Sequence, residues 1–411
     1  MLGVLLCRHL LMLGARIMGW VVILMVLSYV IQTYVGNPGI VDLPLTLYLK
    51  ETLGLSATEL EQFKGIAFLP WYIKPLWGII ADSFPLFGYS IKSYFLICYS
   101  LAFFIFLGLS QLHSYTISIL LVSFVLISIC IAFSDVLTDK LMIVKGKAQQ
   151  QTAILQAAQW SAAGFGGAAM YYLGGWIAKN STLSVALSIS AVVPLVGFVA
   201  TLVLIPESKV ERGTVSIQHS VRVLWAAVKS GQVLAVLVFT AFLTLSPTPP
   251  LLFYRRDVLK FAEDFLGILD AIWSLTFGLG AITFGIFSPK LSRRMLLNLV
   301  IGMSAIATLT LAFIVGPKSA VLVQTLNGFT SAIAMLGALE ITARVCPLGA
   351  EGTVYALLLS VQNFTAMGGS IVGGWLYDRG IAFPALVSIG VLFTSLCWFL
   401  IPLLKLERAE N

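Results

Sequence analysis

The chain has 411 residues, of which 59% are hydrophobic and 10% charged, with a formal net charge of +7. An ordinary soluble domain carries about 25% charged residues, so this composition excludes one. Apolar runs of roughly 18 residues or more recur along the chain, each long enough to cross a hydrocarbon core. The runs are continuous and not alternating, which excludes a β-barrel and leaves an all-α, polytopic membrane protein.

Other classes fall away quickly. The five cysteines (Cys7, Cys98, Cys130, Cys346, Cys397) form no CxxC pair, and His9, His113 and His219 lie far apart. No metal, thiol site or cofactor is therefore expected. No small-residue cleavage site follows the first apolar run, so no cleavable signal peptide is expected. The lack of a long Ser/Arg-rich presequence argues against an organelle address.

Hydropathy broken at polar and Pro/Gly clusters predicts twelve spans. They lie near 20–49, 62–86, 93–111, 116–139, 150–177, 183–205, 231–254, 264–288, 295–315, 319–344, 351–377 and 382–404. The first is too long for one straight crossing, and Asn37, Pro38, Gly39 and Pro44 predict a bend or an unwound stretch. The second, FLPWYIKPLWGIIADSFPLFGY (68–89), carries Lys74 and Asp82 and is broken by Pro70, Pro75 and Pro85. With the N-terminus inside, the inner segments hold sixteen Lys/Arg and the outer ones eight. Both termini are therefore expected in the cytoplasm. The positive charge reflects this bias, and nucleic-acid binding is a poor reading of it.

The longest polar stretch, PESKVERGTVSIQHSVR (206–222), divides the chain into resembling halves. PLTLYLKETL (44–53) aligns with PLLFYRRDVL (250–259) at an offset of 206, pairing Tyr48 with Tyr254, Lys50 with Arg256 and Glu51 with Asp257. LGGWIA (173–178) matches VGGWLY (372–377), and Asp139 corresponds to Glu340. A parallel six-plus-six repeat predicts the major facilitator fold, two pseudo-symmetric six-helix bundles. The expected division is a bundle at 1–205, a cytoplasmic linker at 206–230 and a second bundle at 231–411.

Charges at bilayer depth cost about 2.5–3.5 kcal/mol on insertion scales, so each needs a partner or a watery cavity. Asp42, Lys74, Asp82, Asp135, Asp139, Asp270, Glu340 and Arg344 all need one. Asp135 and Asp139 stand one turn apart, a spacing that suits a proton relay. Asp82, with Lys92 in the following loop, reads as a cytoplasmic latch. Glu340 and Arg344 have the i, i+4 order of an ion pair and read as a gate or a substrate contact. Lys74 and Asp42, deep in their helices, are candidate ligand groups. In QTAILQAAQW (151–160), Gln156, Gln159 and Trp160 offer amides beside an aromatic plane, which suits a flat heteroaromatic ligand. Gln362 and Asn363 are the facing amides. Each of these polar groups also has a plain reading as an interhelical contact. The glycine-rich stretches GGAAMYYLGGW and AMGGSIVGGW read as helix-packing surfaces, and no phosphate-binding loop is present.

YLKETLGLS, LPWYIKPLWGIIADSFPLFGY, SDVLTDKLMIV (134–144), ILQAAQW (154–160), SPTPPLLFY (246–254) and ITARVCPLGAEGTVYALLLSVQN (341–363) together resemble the folate–biopterin transporter family. The resemblance runs from about Tyr29 to Tyr377. Ordinary major facilitators carry a shorter glycine–aspartate–glycine–basic loop where this chain reads DSFPLFGYSIKSY. Family members usually follow FGY with a run of arginines; here there is only Lys92.

The resemblance implies secondary transport of a folate or pterin, with no enzymatic activity. A folate would present a pteridine to stack and carboxylates for Lys74 or Arg344. The alternative within the family is S-adenosylmethionine, a cation leaning on Asp42, Asp135 or Asp139. A muropeptide or acetyl-coenzyme A permease shares only the LP-aromatic-x-x-K pattern. A non-transporting receptor would have lost its buried polar groups. The expected partners are a small-molecule substrate, a proton as coupling ion and the lipid bilayer, around a monomer in the cell (inner) membrane.

Overall fold

The structure, a computed structural model, describes residues 25–35, 39–84, 86–89, 91–149, 152–204, 229–346 and 351–404, with the isolated positions 23, 222, 225 and 226. Most of the expected 206–230 linker, and the side chains of Asp82 and Gln156, lie outside the described residues. Among the described residues every element beyond an isolated Leu86–Tyr89 bridge is helical, and eight helices are long and apolar enough to span a bilayer.

The first two predicted spans break where their sequences say they should. Helix Met25–Val35 ends before the Asn-Pro-Gly stretch, and the chain resumes as helix Asp42–Leu47 with a π-helical turn Tyr48–Thr52. The second span is three pieces: helix Ala57–Ala67, a 3-10 turn Leu69–Ile73 and helix Lys74–Ser83. Pro70 opens the 3-10 turn and Pro75 sits in the first turn of the last piece, where a missing N–H leaves no bond unmade. The Trp77 indole N–H donates to the Pro70 carbonyl at 2.8 Å, satisfying a group that the break exposes. Lys74 thus opens a new helix at bilayer depth.

Longer helices follow: Lys92–Ser110, Ile117–Gln149, Thr152–Asn180 and Leu183–Leu204 in the first half. The second half has Gly231–Thr244, Glu263–Phe287, Arg293–Thr310, Pro317–Arg344, Glu351–Asp378 and Phe383–Ser395. The seventh predicted span ends early, at Thr244, because Pro247, Pro249 and Pro250 interrupt it; helix Leu251–Phe253 and a π-helical turn Tyr254–Val258 follow.

The repeat is visible in the backbone. Leu53 N–H donates to Tyr48 O at 3.1 Å, and Leu259 N–H to Tyr254 O at 3.1 Å, the same i to i+5 turn in each half. The two tyrosines match again: Tyr48 OH reaches Tyr115 O at 3.4 Å and Tyr254 OH reaches Ile314 O at 3.0 Å. Residues 44–53 and 250–259 occupy equivalent places, as their alignment predicts.

Buried apolar side chains separate into one cluster drawn almost wholly from the first half and another from the second. A third, with Leu43 and Leu47 against Phe261, Leu266 and Leu269, joins the halves near those π turns. Helices 152–180 and 263–287 meet backbone to backbone. A Cβ on Gly164 would lie 2.6 Å from Gly278 Cα, and one on Gly175 would lie 2.6 Å from Gly267 Cα. Only glycine permits that approach, so the glycine-rich runs are the packing surfaces that the sequence implies.

Candidate functional site

One end of the molecule, away from the C-terminal end of helix 183–204 and the N-terminal end of helix 231–244 that the linker joins, is closed by charges that cross between the halves. The π turns project Lys50 and Glu51 from one half and Arg256 and Asp257 from the other. Lys50 pairs with Asp257 at 2.7 Å and Arg256 with Glu51 at 2.7 Å, a reciprocal exchange between repeat-equivalent residues. Arg256 also pairs with Glu263, and Lys179 with Asp264 at 2.7 Å. Asp378 accepts from the Thr58 N–H at 2.8 Å and the Ala57 N–H at 3.3 Å, capping a first-half helix with a second-half carboxylate. Hydrogen bonding to Glu51, then Glu263, holds the Arg256 guanidinium above its already high ordinary pKa. No ion pair between described residues joins the halves at the linker end.

Toward the linker end the first half holds a buried charge group. Lys74 is 4% exposed and pairs with Asp135, with its ammonium 4.7 Å from the Trp71 ring centroid. Asp139, one turn on from Asp135, accepts a hydrogen bond from Tyr29 OH at 2.9 Å. The two carboxylates that share a helix face thus have different partners: a cation for Asp135, a phenol for Asp139. Tyr355 of the second half lies within electrostatic reach of both.

Beside this group lies an aromatic and amide wall. Trp160 meets Tyr29 edge-on at 5.5 Å between centroids and Phe277 of the second half at 6.3 Å. Gln159 is 1% exposed, and neither its amide oxygen nor its nitrogen has a hydrogen-bond partner among the described residues. An unmet buried amide is costly, so it marks a place where a ligand or water belongs. Gln362 donates to Thr342 at 3.0 Å, while Asn363 is half-buried.

The other candidates separate from this wall. Arg344 pairs with Glu340 at 2.8 Å within its own helix, as the spacing predicts. The Lys92 ammonium donates to Leu202 O at 3.1 Å, near the end of helix 183–204. Asp42 lies 3.8 Å from Lys64, nearer the closed end, beside a small cavity that both residues line with Tyr34 and Phe63. Asp270 joins that neighbourhood from the second half, held at 2.7 Å by buried Arg255 and acting on the charge of Lys64.

Several of these residues were not site candidates on the sequence, among them Lys64, Arg255, Arg256 and Tyr29. Lys64 and Arg255 counted there only as outer-side charges, Arg256 also as the repeat counterpart of Lys50, and Tyr29 carried no signal beyond being aromatic. The signal for Arg256 was already present, since Lys50-Glu51 and Arg256-Asp257 are two copies of one cation–carboxylate step, which become complementary when the copies face each other.

Comparison with known proteins places this geometry. The family model described as the BT1 family matches residues 36–406. The chain belongs to the BT1 family. A relative from Synechocystis sp., named folate-biopterin transporter, is 26% identical over 415 residues, covering 95% of this chain and 82% of its own. Folate transporter 1 of Plasmodium falciparum is 24% identical over 390 residues, covering 90% and 76%. Among solved structures, a D-xylose-proton symporter is similar with a TM-score of 0.71 at 13% identity, covering 95% of this chain and 99% of its own. The nucleoside transporter NupG is similar with a TM-score of 0.64 at 15% identity, again covering 95% and 99%. The fold is that of the major facilitators, and this BT1 member is an integral membrane transporter and not an enzyme.

Proposed function

We propose that the chain is a proton-coupled secondary transporter of folate- or pterin-type ligands that works by alternating access. The observation that carries the ligand class is the Gln159 amide, buried with both polar atoms unmet among the described residues, next along the helix to Trp160. A pteridine edge alternates hydrogen-bond donors and acceptors, so one amide can meet two of its atoms while the indole covers its face. Gln156, Gln362 and Asn363 are proposed to complete that contact. The relatives' names support the same class.

Lys74 and Arg344 are proposed to receive ligand carboxylates, with Asp42 at the entrance to the closed end. Lys74 is engaged by Asp135, so a ligand carboxylate has to compete for it. Proton uptake by the Asp135–Asp139 pair weakens that competition, which gives a physical reason for proton and substrate to travel together. Asp82, Lys92 and Glu340 are proposed to latch the linker end when it closes.

In this reading the linker end faces the cytoplasm, with both termini there, in the inner membrane of the cell. The protein acts as a monomer of two bundles, 1–205 and 231–411. The ion pairs at the far end then make this the inward-facing state.

The test is thermal unfolding of the purified protein with folate, a pterin lacking the glutamate, S-adenosylmethionine and acetyl-coenzyme A. A ligand at 100 times its Kd stabilises by about 2.7 kcal/mol. Stabilisation by folate and the pterin is expected, and its loss in Gln159→Leu. Stabilisation by S-adenosylmethionine alone would overturn the ligand assignment.

A further inference from the structure

We propose that Tyr29 is the positioning residue that couples the proton site to the ring-binding wall, an inference that rests on the function proposed above. Two contacts of one side chain carry it. The Tyr29 hydroxyl donates to Asp139 Oδ1 at 2.9 Å, and its ring meets Trp160 edge-on at 5.5 Å. The residue is 6% exposed, so it cannot move at one contact without being felt at the other.

The chemistry gives the coupling a direction. A phenol donating to an ionised carboxylate forms a charge-assisted bond, roughly twice as strong as the neutral one. When Asp139 takes a proton, that bond weakens and the hold on the Tyr29 ring relaxes. Trp160, packed edge-on against it, gains freedom to turn toward a bound pteridine. By linkage, the ligand that favours this turned Trp160 raises the proton affinity of Asp139 by the same factor.

The link extends to the second half. Trp160 also meets Phe277, which lies 5.2 Å from Trp273, whose indole donates to Asn327 at 2.9 Å. A change at Asp139 can thereby reach the interface on which the halves rock. Among the described residues the groups facing Asp139 are Tyr29 from helix 25–35, Lys74 from helix 74–83, Asp135 on its own helix and Tyr355 from helix 351–378. Of these, Tyr29 is the one in ring contact with Trp160.

Tyr29→Phe keeps the ring and removes the hydroxyl, so it separates coupling from packing. The readout needs no ligand: tryptophan emission of full-length protein minus that of Trp160→Phe, followed from about pH 5 to 8. The original protein is expected to show one titration of that difference signal, and Tyr29→Phe to lose most of its amplitude while still unfolding cooperatively. Pterin affinity is expected to change with pH about tenfold, or 1.4 kcal/mol, in the original protein and less than about twofold in Tyr29→Phe. Full pH dependence of both signals in Tyr29→Phe overturns the proposal, as does an original protein whose Trp160 emission ignores pH. Equal loss of pterin affinity at every pH in Tyr29→Phe overturns it too, since the hydroxyl would then serve binding alone. Should no pterin or folate bind at any pH while the emission behaves as expected, the ligand assignment falls and the Tyr29 coupling stands.

Discussion

At the closed end, Lys50, Glu51, Arg256 and Asp257 pair across the two halves with side chains 14–43% exposed. Lys74 and Asp135 pair inside one half with side chains 6% and 5% exposed. The same chemistry therefore works in two dielectric settings. Exposed pairs are worth about 0–1 kcal/mol each, so a latch of several can form and release within a transport cycle. Breaking a buried pair by removing one partner costs about 3–5 kcal/mol, because the remaining charge keeps its desolvation without its partner. Such a pair does not open by thermal motion; it needs a proton or a ligand charge to take one partner's place. In the proposed cycle the far end is the part that switches and the Lys74 group the part that holds the triggering charge.

The largest effect that can break this comparison is at the buried pair. Lys74→Met or Asp135→Leu alone is expected to destabilise by about 3–5 kcal/mol. The double variant, with two apolar side chains in contact, is expected to recover most of that in thermal unfolding. Equal losses in single and double variants would mean that Lys74 and Asp135 are held by something other than each other.

The far-end latch should respond more gently. Lys50→Asp sets like charges against Asp257 and is expected to open the far end by about 1 kcal/mol, read as faster labelling of a cysteine placed at Leu47. Adding Asp257→Lys is expected to restore slow labelling, because the pair is reformed with its sign reversed. Raised salt should weaken the latch, but pH should not. Arg256 has a folded-state pKa raised above its ordinary value, so its contribution is fully present below that ordinary value. It is lost only as pH rises through the still higher folded value, far above physiological pH. Labelling that accelerates between about pH 6 and 8 would point to a different titrating group in the latch.

The sequence made the fold legible because its signals need no knowledge of contacts: apolar runs, prolines at 70 and 75, and a repeat at nearly constant offset. The buried charges were legible for the same reason, since charge in an apolar run stands out without knowledge of its partner. Partners were not. Lys74 meets Asp135 across 61 positions and Tyr29 meets Asp139 across 110, distances at which no periodicity speaks. Like-charge spacing on one helix suggested a carboxylate pair that shares its surroundings. The structure gives each carboxylate its own partner, because neighbouring helices decide which side of a face is met by a lysine and which by a tyrosine. Lys64, in the helical piece before the one that Lys74 opens, read as an outer charge because the helix between them is broken.

The most direct test of the account is transport by Asp139→Asn protein reconstituted into liposomes, using labelled folate with and without an inward proton gradient. The amide keeps the size of the side chain and an oxygen that can accept from Tyr29, and removes its charge and its proton exchange. If Asp139 carries the coupling proton, gradient-driven accumulation falls at least about tenfold while folate exchange at equal concentrations and equal pH persists. Gradient-driven accumulation at the original rate in Asp139→Asn would contradict it.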